Sequence, residues 1–118
     1  MRILTLPAAP LLRFESAGVA MDFLPAVTDG STRVTFARID AGGTIGAHAA
    51  PLAQAFAVVE GSGHVAVADG PRRSVGPGTL IVWEVGEVHQ TWATTAMRAV
   101  IVETSGTFEL SEHFVPQE

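Results

Sequence analysis

Cysteine and lysine are both missing from this chain of 118 residues, and each absence closes off chemistry. Without cysteine there are no disulfides, thiolate zinc sites, iron–sulfur clusters or cysteine nucleophiles, so histidine and carboxylate must carry any chemistry. Without lysine there is no Schiff-base mechanism and no lysine general base. Positive charge is scarce as well: seven arginines stand against twelve acids for a net charge of -5, and no basic run exceeds Arg72-Arg73. A phosphate-tracking surface needs far more, which argues against a nucleic-acid partner. No stretch approaches the roughly 18 consecutive apolar residues of a membrane-spanning helix. The apolar start Ile3 to Leu12 is interrupted by Pro7 and Pro10 and lacks a leader-peptide cleavage site. The expectation is a soluble, cytoplasmic protein with no membrane partner.

Hydrophobic residues make up 47% of the chain, enough for one core, and the length is too short for two ordinary domains. At this size folding buries roughly two thirds of the unfolded surface, so one domain over residues 1–118 needs no metal to form. Any metal would serve function first.

Glycine and proline recur every few residues, and the stretches between them are short and rich in Val, Ile, Thr and Phe. That pattern reads as a sandwich or barrel. Arg33 to Asp40 alternates until Ala41-Gly42-Gly43 breaks it. Gln54 to Glu60 runs into Gly61-Ser62-Gly63 and resumes as His64 to Ala68, which reads as a β-hairpin. Thr79 to Trp83 and Arg98 to Thr104 are two further strands, apolar enough to lie in the core. Leu11 to Phe14 and Ala20 to Leu24 are candidate outer strands, with a turn at Thr28-Asp29-Gly30-Ser31. Ala47 to Ala57 is alanine-rich, but Pro51 and the flanking strand signals argue against a helix there.

Two histidines stand out against this punctuation. His48 closes the glycine-rich approach Gly42-Gly43-Thr44-Ile45-Gly46-Ala47, and His89 follows Glu84-Val85-Gly86-Glu87-Val88. The spacing resembles the two motifs of the cupin superfamily, G-x5-H-x-H-x3,4-E-x6-G and G-x5-P-x-G-x2-H-x3-N. Gly42, His48, Ala50, Gln54 and Gly61 fall on the first without an insertion; Gly78, Glu84, Gly86, His89 and Ala93 fall on the second. The resemblance implies an all-β fold, a single-domain double-stranded β-helix or jelly-roll barrel of the RmlC-like kind. Motif one occupies 42–61 and motif two 78–93. It also implies a homodimer, with residues 1–12 as a candidate exchanged strand.

In cupins the two histidines and the glutamate of the first motif and the histidine of the second bind one divalent metal. Here those positions are His48, Ala50, Gln54 and His89. Alanine has no donor, and glutamine offers a neutral amide oxygen in place of a carboxylate that would offset the cation's charge. The metal motif is therefore degenerate. Two imidazoles, the Gln54 amide and water remain a conceivable set for Zn, Ni, Cu or Fe. A metal-free pocket is the other reading.

A lone histidine is ordinarily a satisfied core or rim residue, but two at both motif positions point to one site. His64 and His113 read as solvent-facing. Gln54, Phe56 and Val58 share a face at period two, which is the lumen if His48 points inward. Trp83 and Trp92 read foremost as packing residues, with Trp92 holding the better functional claim near the barrel mouth. Glu84 and Glu87 read as solvated turn residues. Glu103 ends an apolar strand and, turned inward, would be a general base or acidic ligand; Arg38 would suit an anionic ligand. Three functions follow: a small-molecule-binding barrel with a weakened or absent metal site; a metal-dependent dioxygenase, isomerase or cyclase using His48, Gln54 and His89 as ligands; or a structural or regulatory dimeric module. Fold alone does not choose a reaction, and no catalytic residue is assigned.

Overall fold

The computed structural model describes residues 1–117, in which every regular element is a strand. A six-stranded antiparallel sheet runs from edge to edge as β14 (Val115–Pro116), β1 (Arg2–Thr5), β10 (Thr79–Trp83), β7 (Ala53–Glu60), β12 (Met97–Thr104) and β5 (Thr32–Ile39). A four-stranded antiparallel sheet faces it as β6 (Thr44–Ala49), β11 (Val88–Ala93), β8 (Gly63–Val67) and β9 (Arg73–Val75). Two ribbons complete the chain: β4 (Ala26–Thr28) with β13 (Thr107–Glu109), and β2 (Ala8–Pro10) with β3 (Ala20–Asp22). This is the all-β jelly-roll barrel expected from the motif spacing.

Side-chain alternation sorts the core into two parts. Phe56, Val58, Ile81, Trp83 and Ala99 turn into the barrel, where they meet Val65, Val75 and Ala93 from the four-stranded sheet. Ala55, Ala57, Leu80, Val82 and Val102 turn outward and are covered by Phe114, Phe108 and Leu110 of the C-terminal segment. Strands β7, β10 and β12 are thus apolar on both faces, which explains their unbroken hydrophobic runs. The N-terminal strand pairs with its own chain, Ile3 opposite Ile81 and Leu4 opposite Leu80.

Two sequence expectations need correction. Gln54 to Glu60 and His64 to Ala68 do not form a hairpin: β7 pairs with β10 and β12, β8 with β11 and β9, so Gly61-Ser62-Gly63 carries the chain from one sheet to the other. Glycine is required at that corner, because Gly61 has φ +83 and a Cβ there would strike the carbonyl of Ala96, while one at Gly63 would strike that of Trp92. Leu11 to Phe14 is not a strand. It lies in the connection between β2 and β3, where Phe14 and Glu15 adopt positive φ and Phe14 is 81% exposed.

Candidate functional site

Near one end of the barrel the two sheets enclose a chamber of about 210 Å³, below the roughly 300–1,000 Å³ of drug-sized pockets. His48 and His89 form part of its wall as directly opposed residues of β6 and β11, with ring centroids 4.5 Å apart. The pairing register shifts between His89 and Thr91, where β6 spends one residue more than β11 in passing from His48 to Ile45. That bulge lets Ile45 and His48 both face the chamber, although strict alternation would send residues three apart to opposite sides.

Backbone carbonyls set both imidazoles. His48 Nδ1 lies 2.7 Å from the Gly46 carbonyl and His89 Nδ1 lies 3.1 Å from that of Glu87. A carbonyl only accepts, so each Nδ1 carries the hydrogen and each Nε2 is left with its lone pair in the neutral ring. The Glu87 carbonyl also accepts from Ala50 N at 2.9 Å, and Gly86 N donates to the Ala50 carbonyl at 2.8 Å, which laces the two motif segments together behind the rings. Burial pushes the His89 pKa below its ordinary 6.5, opposed by its bond to the Glu87 backbone and reinforced by the nearby His48.

Beyond His89 the Trp83 indole stacks on the imidazole at 4.0 Å between centroids and 17° between planes, and Phe56 meets the indole edge-on at 5.8 Å. Trp83 is 1% exposed, and its Nε1, fully enclosed, has no hydrogen-bond partner among the described residues. An unpaired buried donor costs about 1–3 kcal/mol. Gln54 is buried on the adjoining strand, directly opposite Trp83, and its amide takes no part in the hydrogen bonds among the described residues. The chamber therefore collects acceptors on the imidazoles and both a donor and an acceptor on the Gln54 amide, while the Trp83 Nε1 has no accessible surface and offers the chamber nothing. Ala50 is 2% exposed within the core cluster and supplies no donor atom to the chamber. Among the described residues, no three His, Cys, Asp or Glu side chains converge as a metal-holding group.

A second, outer chamber of about 360 Å³ shares Pro51 and Glu103 with the first and adds Arg33 and Leu52. Of the residues singled out in the sequence, His48, Gln54, Phe56, His89 and Glu103 thus come together. Arg38, Val58 and Trp92 do not. Arg38 borders a separate depression with Glu60 and Arg98. Val58 lies on the inner face with Phe56 but packs in the core. Trp92 lies on the outer face of β11, with the Arg72 guanidinium 3.8 Å above its ring. His64 is directly opposite Trp92 and half-buried near Thr94, and His113 is exposed. Glu84 and Glu87 close the turn before β11, where the Glu87 carboxylate accepts from Glu84 N at 2.8 Å. Trp83, read from the sequence as a packing residue, does pack in the core and also lines the chamber, and Arg33 and Ile101 join the chambers unforeseen, although alternation along their strands points them inward.

A family model described as a cupin domain matches residues 35–104. No curated protein matches the chain. Among solved structures, a conserved protein of unknown function from Streptococcus pyogenes is 23% identical over 69% of this chain and 72% of its own, with a TM-score of 0.58. An RmlC-like cupin from Shewanella frigidimarina is 22% identical over 66% and 69%, at 0.60. A protein with a double-stranded β-helix domain from Klebsiella pneumoniae is 20% identical over 75% and 79%, at 0.59. At these identities the likeness carries the fold alone.

Proposed function

The chain belongs to the cupin domain family, and from that premise we propose that it binds a small organic molecule in its lumen without a resident metal ion. The observation that carries this reading is the pairing of two carbonyl-held imidazoles, each with a free Nε2, in a chamber that the Gln54 amide also lines. Such a chamber suits a ligand whose inner end is a neutral hydrogen-bonding group, with Phe56, Ile101 and Pro51 against its apolar body. The donor set does not fit a resident divalent cation. Resident sites hold their ion with three or four good donors, whereas here the alanine supplies none and the amide oxygen is a weak neutral one, which leaves two imidazoles.

The experiment is elemental analysis of purified protein, paired with thermal melting in phenol. The reading expects substoichiometric metal, a melting shift with phenol that survives EDTA, and loss of that shift in His89→Ala. Stoichiometric tightly held metal would overturn it in favour of a metal-dependent enzyme, a dioxygenase, isomerase or cyclase. One observation favours that second reading: metal-ligating histidines also anchor the opposite ring nitrogen to carbonyls.

For the outside of the barrel we propose a second copy of the chain as partner. Val34 and Phe36 on the edge strand β5 are 66% and 63% exposed, an unpaired apolar edge of the kind proteins cover.

A further inference from the structure

The register sets four side chains of different chemistry in one row across the six-stranded sheet. Arg33 on β5 is directly opposite Glu103 on β12, Glu103 is opposite Gln54 on β7, and Gln54 is opposite Trp83 on β10. Arg33 and Glu103 border the outer chamber, and Glu103, Gln54 and Trp83 the inner one. Strands are spaced by about 4.8 Å, so the row passes over about 14 Å from full charges at the mouth to neutral hydrogen-bonding groups inside.

Arg33 and Glu103 are neighbours of opposite sign, yet they do not close on each other. Among the described residues the ion pairs within 4.0 Å are Met1–Glu87 and Arg98–Glu60. A guanidinium and a carboxylate that share one chamber without satisfying each other present one contact of each sign. A simple carboxylate ligand would place two anions beside a single guanidinium, and a simple amine would leave the guanidinium without a partner. A ligand with both groups on one carbon satisfies both residues and keeps the mouth neutral.

We propose that the outer chamber receives the zwitterionic head of an aromatic α-amino acid, its carboxylate on Arg33 and its ammonium on Glu103, while its side chain enters the inner chamber. This rests on the lumen-binding reading above. The inner end must donate a hydrogen bond, because His48 and His89 both offer Nε2 as acceptors. A phenolic hydroxyl or ring N–H meets that requirement, and the ring itself has Phe56, Ile101 and Pro51 as walls.

The test follows histidine-ring NMR signals during titration with L-tyrosine, tyramine, 3-(4-hydroxyphenyl)propionate and phenol. L-tyrosine is expected to bind at least about tenfold more tightly than either analogue that lacks one charge. Arg33→Gln should reduce tyrosine to the level of tyramine and leave tyramine unchanged. Glu103→Gln should reduce tyrosine to the level of the propionate. If the propionate binds as tightly as tyrosine and Glu103→Gln strengthens it, the mouth is an anion site and the proposal fails. If phenol binds and tyrosine gains nothing over it, the proposal fails while lumen binding stands. If neither phenol nor tyrosine moves His48 or His89, the lumen reading falls and takes this proposal with it.

Discussion

His89 shows how one side chain ties stability to pH. Burial lowers its pKa in the folded chain below the ordinary 6.5, so between those two values the unfolded state binds more protons than the native state. The contribution is fully present above pH 6.5 and is lost as pH falls through the folded pKa. Urea midpoints measured from pH 8 to pH 5 should therefore fall more steeply in the wild type than in His89→Asn; parallel curves would contradict it. Ala50 and Gln54 allow the reverse experiment. If the missing donors are what disfavour metal, Ala50→His with Gln54→Glu should gain zinc-dependent melting that the wild type lacks, after a packing cost of about 1–3 kcal/mol at the buried position 50. Calorimetric zinc titration of both proteins checks this.

Strands decide which of these residues meet, and strand alternation separates what was legible in the sequence from what was not. The motif spacing located His48, Gln54 and His89 because turn glycines and strand lengths together determine the register. Arg38, a candidate for an anionic ligand, lies away from the chamber because β5 alternates cleanly: Arg33, Thr35 and Ile39 share the inner face, and Arg38 falls on the other with Val34 and Phe36. Trp92 lies three residues from His89 on one strand, so it faces away, whereas Trp83 shares parity with Ile81 and faces in. The bulge on β6 and the sheet change at Gly61 had no signature in alternation, since each depends on which strand lies alongside. The glycines themselves allow a test. Gly61→Ala meets both a positive φ and the Ala96 carbonyl and should cost more than about 1 kcal/mol. Gly46→Ala has open space and an ordinary φ, and should stay within about 1 kcal/mol. Chemical denaturation of both variants checks the contrast, and equal losses would contradict the corner's geometry.

At the scale of the whole molecule, a barrel with two covered core faces still leaves apolar surface on β5 and on the connection between β2 and β3, where Leu12 and Phe14 are 75% and 81% exposed. Burying such surface stabilises by roughly 25 cal/mol per Å², which is the driving force expected for self-association. Light scattering should give twice the chain mass for the wild type and one chain for Phe36→Glu. A monomeric wild type would contradict the dimer. The lumen lies on the opposite face of the six-stranded sheet from Val34 and Phe36, so ligand binding should persist in the monomeric variant. Histidine-ring NMR of EDTA-treated protein titrated with phenol tests organic-ligand binding between the His48 and His89 imidazoles. Metal-free ligand binding should give saturable shifts of His48 and His89 with His64 and His113 unmoved; shifts that vanish with the chelator, or none at all, would contradict it.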